Sequence, residues 1–357
     1  MTAPVKIAID AMGGDNAPQV VIEGMAQARI VRPDLHYHLY GDETQINDLL
    51  SAHDALLPVT TVYHCDTVVT GDDKPGQVLR RGRKSSMGLA IQSVKDGEAD
   101  VAISAGNTGG LMALSKFILR TMPGIDRPAL ISPLPTLRGE SVMLDLGANI
   151  ECSAENLVQF AVMGAAYSRA VLGRQRPTVG LLNVGVEDLK GNDQVRRAAE
   201  ILKEADHLPL DFQGFVEGDS IGAGTVDVVV TDGFSGNVAL KTAEGTARLI
   251  SGLLGNALRS TIWSKLGYLL ARGGLKSLRN HLDPNNHNGG MFVGLNGLVV
   301  KSHGSADARG FASAIGTAAD LATNALNTEI QRDITEIAGI DPDHDSGPGL
   351  PATEAAE

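Results

Sequence analysis

The stretch Ile7-Ala8-Ile9-Asp10-Ala11-Met12-Gly13-Gly14-Asp15-Asn16-Ala17-Pro18 runs an apolar segment into two glycines set between two aspartates, with a proline close behind. An ordinary turn needs one glycine, or Asn-Gly. The apolar segment predicts a strand over 5–9. Several later runs share its character, apolar throughout rather than alternating: a strand covered on both faces reads that way. Strands are expected at 5–9, 36–40, 59–63, 100–104, 141–145, 178–183, 210–215, 226–231 and 298–301. Amphipathic stretches predict helices at 19–31, 44–52, 77–96, 108–120, 153–172, 193–205, 238–254 and 307–325. This rhythm predicts a doubly wound α/β fold with a mostly parallel sheet.

Composition narrows the class. The chain has 357 residues, 43% of them hydrophobic and 20% charged, as in a soluble globular protein. Aromatics are only 4%, so Ala, Val, Leu and Ile must build the core. A net charge of −12 argues against nucleic acid as a partner, because phosphates need a basic surface. Cys65 and Cys152 show no metal spacing and read as small apolar residues in a reducing cytosol. No metal or cofactor is expected. The first residues lead directly into a strand, so no signal peptide is expected, and no apolar run reaches the ~20 residues that span a bilayer. One α/β unit over 1–330 is expected, followed by an acidic, disordered tail over 331–357.

Six expected strands end in chemistry-bearing loops. They are Asp10–Asp15, AlaGlyAsnThrGlyGly at 105–110, AspLeuGlyAlaAsn at 145–149, the 184–192 loop with Lys190, ThrAspGlyPheSerGlyAsn at 231–237 and SerHisGlySer at 302–305. In a parallel sheet all these ends share one edge, where ligands of open α/β sheets bind. The loops at 106–110 and 233–237 each open a helix, whose free N–H groups favour an anion. Lys190 and Lys241 are candidate phosphate neutralisers. Neither GxxxxGK[ST] nor GxGxxG after the first strand is present, which leaves nucleotide and dinucleotide sites unsupported. Gly13 and Gly14 read as residues of close approach. Asp10 and Asp15 read as orienting neighbouring N–H groups and lysines.

IDAMGGDNAP, together with KSSM at 84–87, SAGNTG at 104–109, GIDRPAL at 124–130, LDLGAN at 144–149, LLNVG at 181–185, EDLKGN at 187–192, TDGFSGNVALKT at 231–242 and KSHGS at 301–305, closely resembles the phosphate acyltransferase family of bacterial phospholipid synthesis. The resemblance covers about residues 5–325. Gly88 departs from it, standing where a bulkier residue is expected. The resemblance implies a three-layer, Rossmann-like fold of the isocitrate and isopropylmalate dehydrogenase type. It implies transfer of a fatty acyl group from acyl carrier protein to inorganic phosphate. The acyl phosphate would then serve a membrane glycerol-3-phosphate acyltransferase. A homodimer with peripheral membrane contact is implied as well.

The chemistry assigns roles. Phosphate is itself the nucleophile, so no acylated Ser or Cys is needed. Lys190 is the candidate for phosphate charge, and Asn107 and Asn237 for donors to phosphate or oxyanion. His303 is the candidate proton donor to the leaving thiol. Gly13, Gly14, Gly109 and Gly236 would permit backbone contact, and Asp10 and Asp145 would orient it. The competing readings are helix N-caps for Asn107 and Asn237, a solvated loop lysine for Lys190 and a structural histidine for His303.

From Gly245 to Leu282 there is no Asp or Glu, while Arg248, Arg259, Lys265, Arg272, Lys276 and Arg279 are present. Leu254, Leu258, Ile262, Leu266 and Leu270 recur every fourth residue beside Trp263, an apolar stripe if the segment is one helix. Segment 245–285 is therefore expected to protrude as an amphipathic element for membrane, dimer or acyl carrier protein contact. Two alternatives stand beside the main reading: a phosphate acetyltransferase-like enzyme using a coenzyme A thioester, and a non-catalytic membrane scaffold for acyl carrier protein.

Overall fold

The computed structural model describes residues 4–338, apart from 206, 284, 286, 287 and 325. The chain runs β1 (Val5–Asp10), α1 (Gln19–Val31), β2 (Leu35–Gly41), α2 (Glu43–Leu50), β3 (Thr60–His64), α3 (Pro75–Arg81), α4 (Ser86–Lys95), β4 (Val101–Ser104) and α5 (Thr108–Leu119). It continues through β5 (Ala129–Thr136), β6 (Gly139–Leu144), α6 (Ala154–Leu172), β7 (Thr178–Leu182), α7 (Asp193–Glu204), β8 (Asp211–Val216), α8 (Gly218–Ala223) and β9 (Val228–Val230). It closes with α9 (Gly233–Arg259), α10 (Ile262–Leu282), β10 (Gly290–Val293), β11 (Leu298–Lys301), α11 (Ala308–Thr323) and α12 (Leu326–Ala338).

Short polar residues start the helices. Asp42, Ser85, Asn107, Ser153, Asn192, Asp232, Thr261 and Asp307 each accept a backbone N–H of the following turn. The expected helix over 77–96 is broken into α3, a single 3-10 turn at 82–84, and α4. Gly88 explains itself here: a Cβ at that position would fall 2.1 Å from the Gly82 carbonyl oxygen, so the bulkier residue expected does not fit. Helix α12 carries the fold to Ala338, with Asp333 and Ile334 buried. The tail therefore begins later than residue 331, and what was expected of 339–357 lies outside the described residues.

All nine expected strands are present. They lie in one 11-stranded sheet of order β3-β2-β1-β4-β11-β10-β5-β6-β9-β7-β8. Alternate residues feed two cores. Ile7, Ile9, Val101, Ile103, Val228 and Val230 face α1, α6, α7, α11 and α12. Ala8, Ala102, Val229, Met143 and Phe292 face α3, α4, α5 and the start of α9. That double burial is why the strands read as apolar throughout.

Seven of the ten strand pairs are parallel, as expected of a mostly parallel sheet, but three antiparallel pairs make it mixed. β10 is antiparallel to β11 and to β5, and β5 is antiparallel to β6. Strands β1 to β4 and β11 therefore point one way, and β6 to β9 the other. The expected single rim becomes two. The ends of β1, β4 and β11 form one; those of β6, β7 and β9 form the opposite one.

The expected amphipathic segment is helical but not one helix. α9 stops at Arg259 and α10 starts at Ile262, with Thr261 capping the Ser264 N–H at 3.0 Å. Leu254 and Leu258 thus belong to α9, and Ile262, Leu266 and Leu270 to α10. Trp263 and Leu270 are 79% and 90% exposed. No helix among the described residues is long and apolar enough to cross a membrane.

Candidate active site

On the rim formed by β6, β7 and β9, the carboxylate of Asp145 organises the loop. Its Oδ1 accepts the N–H groups of Leu130 (2.9 Å), Gly147 (3.2 Å) and Ala148 (2.9 Å). Its Oδ2 accepts the Asn149 N–H (2.7 Å) and Nδ2 (2.8 Å). Burial pushes the Asp145 carboxyl up from the usual carboxylate range, and those bonds hold it back. With both oxygens occupied and the residue buried, Asp145 orients. The first turn of α9 sits directly on this loop. Gly233 N–H donates to the Asn149 carbonyl at 2.7 Å, and a Cβ at Gly236 would lie 1.9 Å from the Asp145 carbonyl oxygen.

On the other rim, Asp10 is likewise buried. Ser104 Oγ donates to its Oδ2 at 2.7 Å and Met12 N–H to its Oδ1 at 3.3 Å. A Cβ at Gly13 would fall 2.5 Å from Asp10 Oδ2 and 2.8 Å from Gly106 N. Gly14 has φ +107°, and Asp15 N–H donates to the Gly304 carbonyl at 2.9 Å. The opening stretch is therefore a lock between three strand ends. Gly13 and Gly14 admit neighbouring protein atoms, and neither they nor Asp10 or Asp15 line the cavity described next.

That cavity, of about 980 Å³, lies between α9 and the sheet. Lys241, Glu244, Asn288, Lys301, Ser302 and His303 give it a polar end; Thr108 and Asn237 line it as well, Asn237 beside Gly147 toward the opposite rim. The remainder is largely apolar, with Leu130, Leu134, Met143 and Leu146 on the sheet side and Leu240, Ala243 and Ala247 on α9. Only Gly233 and Gly236 of the 27 residues of α9 are fully buried, so the helix roofs the cavity without filling it.

The polar end is an electrostatic cluster. Glu244, its side chain 9% exposed, takes Lys241 Nζ at 3.0 and 3.1 Å, His303 Nε2 at 3.3 Å and Arg248 Nη1 at 3.7 Å. Lys301 Nζ donates to the Ser302 carbonyl oxygen and, at 3.5 Å, to that of Ala105. Burial, helped by Lys241 and opposed by Asp10 and Asp15, lowers its pKa to about 8. Burial also lowers that of His303; Glu244 pulls it back up while Lys241, Lys301 and Arg248 push it further down. Asn288 fixes this corner: its Oδ1 accepts the His303 N–H at 3.0 Å, and its Nδ2 donates to Ser302 Oγ and the Gly310 carbonyl, each at 2.9 Å.

The expected site residues separate. Asn237, Lys241 and His303 line the cavity; Asn107, Lys190 and Gly109 do not. Asn107 is the N-cap of α5: its Oδ1 accepts the Gly110 N–H at 2.9 Å, and its Nδ2 donates to the carbonyls of Gly71 and Thr70 at 2.8 and 3.3 Å. Asn237 is not a cap, since Asp232 already takes the Ser235 N–H at 2.8 Å. Lys190 is exposed in the loop after β7, where its N–H donates to Glu187 and its carbonyl accepts from Asn183 Nδ2. Helix α9 joins the two rims. Asn237, Lys241, Glu244 and Arg248 fall at helical spacing, and Asn237 lies one turn, about 6 Å, from Lys241. Sequence reasoning missed Lys301, Glu244 and Asn288. The signals present were a lysine closing the apolar strand Leu298–Lys301 and an acid three residues after Lys241.

The sequence model of a family described as "Fatty acid synthesis protein" matches residues 5–329. A "Phosphate acyltransferase" of Paramagnetospirillum magneticum is 53% identical over 94% of this chain and 96% of its own, and one of Rhodospirillum centenum is 56% identical over 93% of each. Among solved structures, a phosphotransacetylase from Streptococcus pyogenes covers 90% of this chain and 95% of its own with TM-score 0.59 and 19% identity. The EutD phosphotransacetylase from Staphylococcus aureus covers 89% and 94% with TM-score 0.55 and 16% identity. At such identities the likeness is one of fold, a mixed α/β architecture around a large central sheet. The identity shared with the first two relatives, over nearly the whole of each chain, establishes more: this chain belongs to the phosphate acyltransferase family.

Proposed function

We propose that the protein transfers a fatty acyl group from acyl carrier protein to inorganic phosphate. The observation that carries this is the division of one cavity into a cationic end and an apolar length. Lys241, Lys301 and His303 suit a phosphate dianion; the surfaces of Leu130, Leu134, Met143, Leu146 and Leu240 suit an alkyl chain. A phosphate oxygen attacks the thioester carbon, the C–S bond breaks, and the sulfur leaves as thiolate. Asn237, one turn from Lys241, donates to the carbonyl oxygen as it becomes an oxyanion; such a donor contributes about 2.7–4 kcal/mol. A bound dianion raises the depressed His303 pKa, which lets the imidazole take up a proton and pass it to the thiolate. Holding phosphate and thioester side by side supplies up to about 7–11 kcal/mol more. Lys190, exposed and outside the cavity, would act on the phosphate only through space from the Asn237 rim, while Asn107 and Asp145 hold the loops.

The exposed Ile262, Trp263, Leu266 and Leu270 of α10, with Lys265 and Arg272 beside them, support peripheral contact with an anionic membrane. The acyl phosphate would pass there to a glycerol-3-phosphate acyltransferase, and a homodimer would present paired α9–α10 segments. Liposome co-sedimentation of a Leu258→Glu, Leu266→Glu double variant tests the contact, and unchanged binding refutes it.

The decisive experiment is thiol release from acyl carrier protein thioesters with and without added phosphate. Phosphate-dependent release is expected; none would leave the scaffold reading. Acyl-coenzyme A in place of the carrier protein tests the other donor. The apolar length of the cavity favours a long chain over acetyl with either carrier.

A further inference from the structure

The sheet gives the cavity its axis. In sheet order, Lys301 on β11, Gly290 on β10, Leu130 and Leu134 on β5, Met143 on β6 and Leu182 on β7 line it, so it runs across the strands, about 24 Å from Lys301 to Leu182 at the usual strand spacing. The hairpin beyond β5 reaches α8, where Leu137 N–H donates to the Gly222 carbonyl at 3.0 Å. Helix α8 thus stands at the end of the apolar length farthest from Lys301, and it lines the cavity with Gly218, Ile221 and Gly222.

Gly218 and Gly222 are one turn apart and so share a face. A Cβ on either meets no atom within 4 Å, and neither has a positive φ. This is unlike Gly180 or Gly236, where Val216 at 2.6 Å and the Asp145 carbonyl at 1.9 Å exclude any side chain. Glycine weakens a helix, and here neither packing nor backbone conformation asks for it. What the two glycines do leave is open space at the far end of the cavity.

We propose that α8 sets the longest acyl chain the cavity accepts, the methyl end of the chain occupying the space beside Gly218, Ile221 and Gly222. This rests on the fatty acyl reading above and adds a chain-length gauge to it. A chain that reaches α8 buries its last methylenes against Ile221 and Leu134, and each methylene denied that contact costs about fourfold in kcat/KM.

The test compares octanoyl and palmitoyl thioesters of acyl carrier protein, with phosphate, in Gly222→Phe and Gly218→Leu. The palmitoyl-to-octanoyl ratio of kcat/KM is expected to fall at least about sixteenfold in either variant, the loss of two methylenes. Ile221→Ala, which adds space, is expected to raise it. A ratio within twofold of wild type in every variant that melts like wild type overturns the proposal. Should both glycine variants unfold, the direction of the Ile221→Ala change decides. A wild-type protein that releases no thiol on adding phosphate refutes the functional reading itself, whereas an active wild type with an unmoved ratio refutes only the gauge.

Discussion

Lys301 makes phosphate affinity depend on pH in a direction that phosphate alone would not produce. With its pKa lowered to about 8, the amine is almost fully charged at pH 7 and about nine-tenths neutral at pH 9. A bound dianion favours the charged form, so binding above pH 8 requires proton uptake by Lys301. The apparent Kd then scales as one plus ten raised to the power pH minus 8, which weakens binding about tenfold, or about 1.4 kcal/mol, between pH 7 and 9. His303, its pKa lowered by burial, is neutral in the free site at these pH values, and a proton taken up with the bound dianion steepens the same alkaline weakening. Phosphate becomes more completely dianionic over the same interval, which by itself would tighten binding.

Calorimetric titration of inorganic phosphate into the intact protein at pH 7, 8 and 9 reads this directly. Lys301→Met should bind about 10- to 150-fold more weakly at pH 7, from the loss of a charged hydrogen bond of about 1.5–3 kcal/mol, and should lose the Lys301 share of the alkaline weakening. Wild-type affinity that stays level or tightens toward pH 9 would refute the placement of phosphate beside Lys301. Equal affinity in Lys301→Met would do the same.

Gly236→Ala drives a methyl into the Asp145 carbonyl and should cost about 3 kcal/mol or more of stability; a denaturant midpoint equal to wild type would remove the packing argument. In Glu244→Gln the carboxylate that supports His303 protonation is gone, so the imidazole should titrate at still lower pH by NMR, and an upward move would contradict the ion-pair geometry. The same depressed His303 pKa contributes stability above about pH 6.5 that is lost as pH falls through the folded value, and His303→Gln should flatten that part of the stability profile. Lys190→Ala should abolish turnover with an unchanged melt, while near-wild-type turnover would confine the phosphate seat to the Lys241–Lys301 end.

The elements of the fold were readable because each carried a local signal: β-branched runs for strands, and Asp42, Ser153 or Asn192 at helix starts. What could not be read was direction. Two strands escaped, β5 and β10, and these two reverse the sheet. β5 hides behind Pro133 and Pro135, which argue against a strand. The prolines are tolerated because β10 pairs only with 129–131, leaving that side of β5 without a partner strand beyond. β10 opens on the last residue of AsnGlyGly at 288–290, a sequence that reads as a turn.

With both strands missing, the loops carrying Asn107, Lys190, Asn237 and His303 fall on one imagined rim. With both present, Asn107 and His303 stand on one rim and Lys190 and Asn237 on the other. What rejoins Asn237 to His303 is a helix long enough to cross the face of the sheet, anchored at Gly233 and Gly236 on the Asp145 loop and meeting His303 through Glu244 three turns later. Chemistry-bearing residues were therefore visible one at a time. Their grouping follows from a strand reversal and a helix length, both set by long-range pairing.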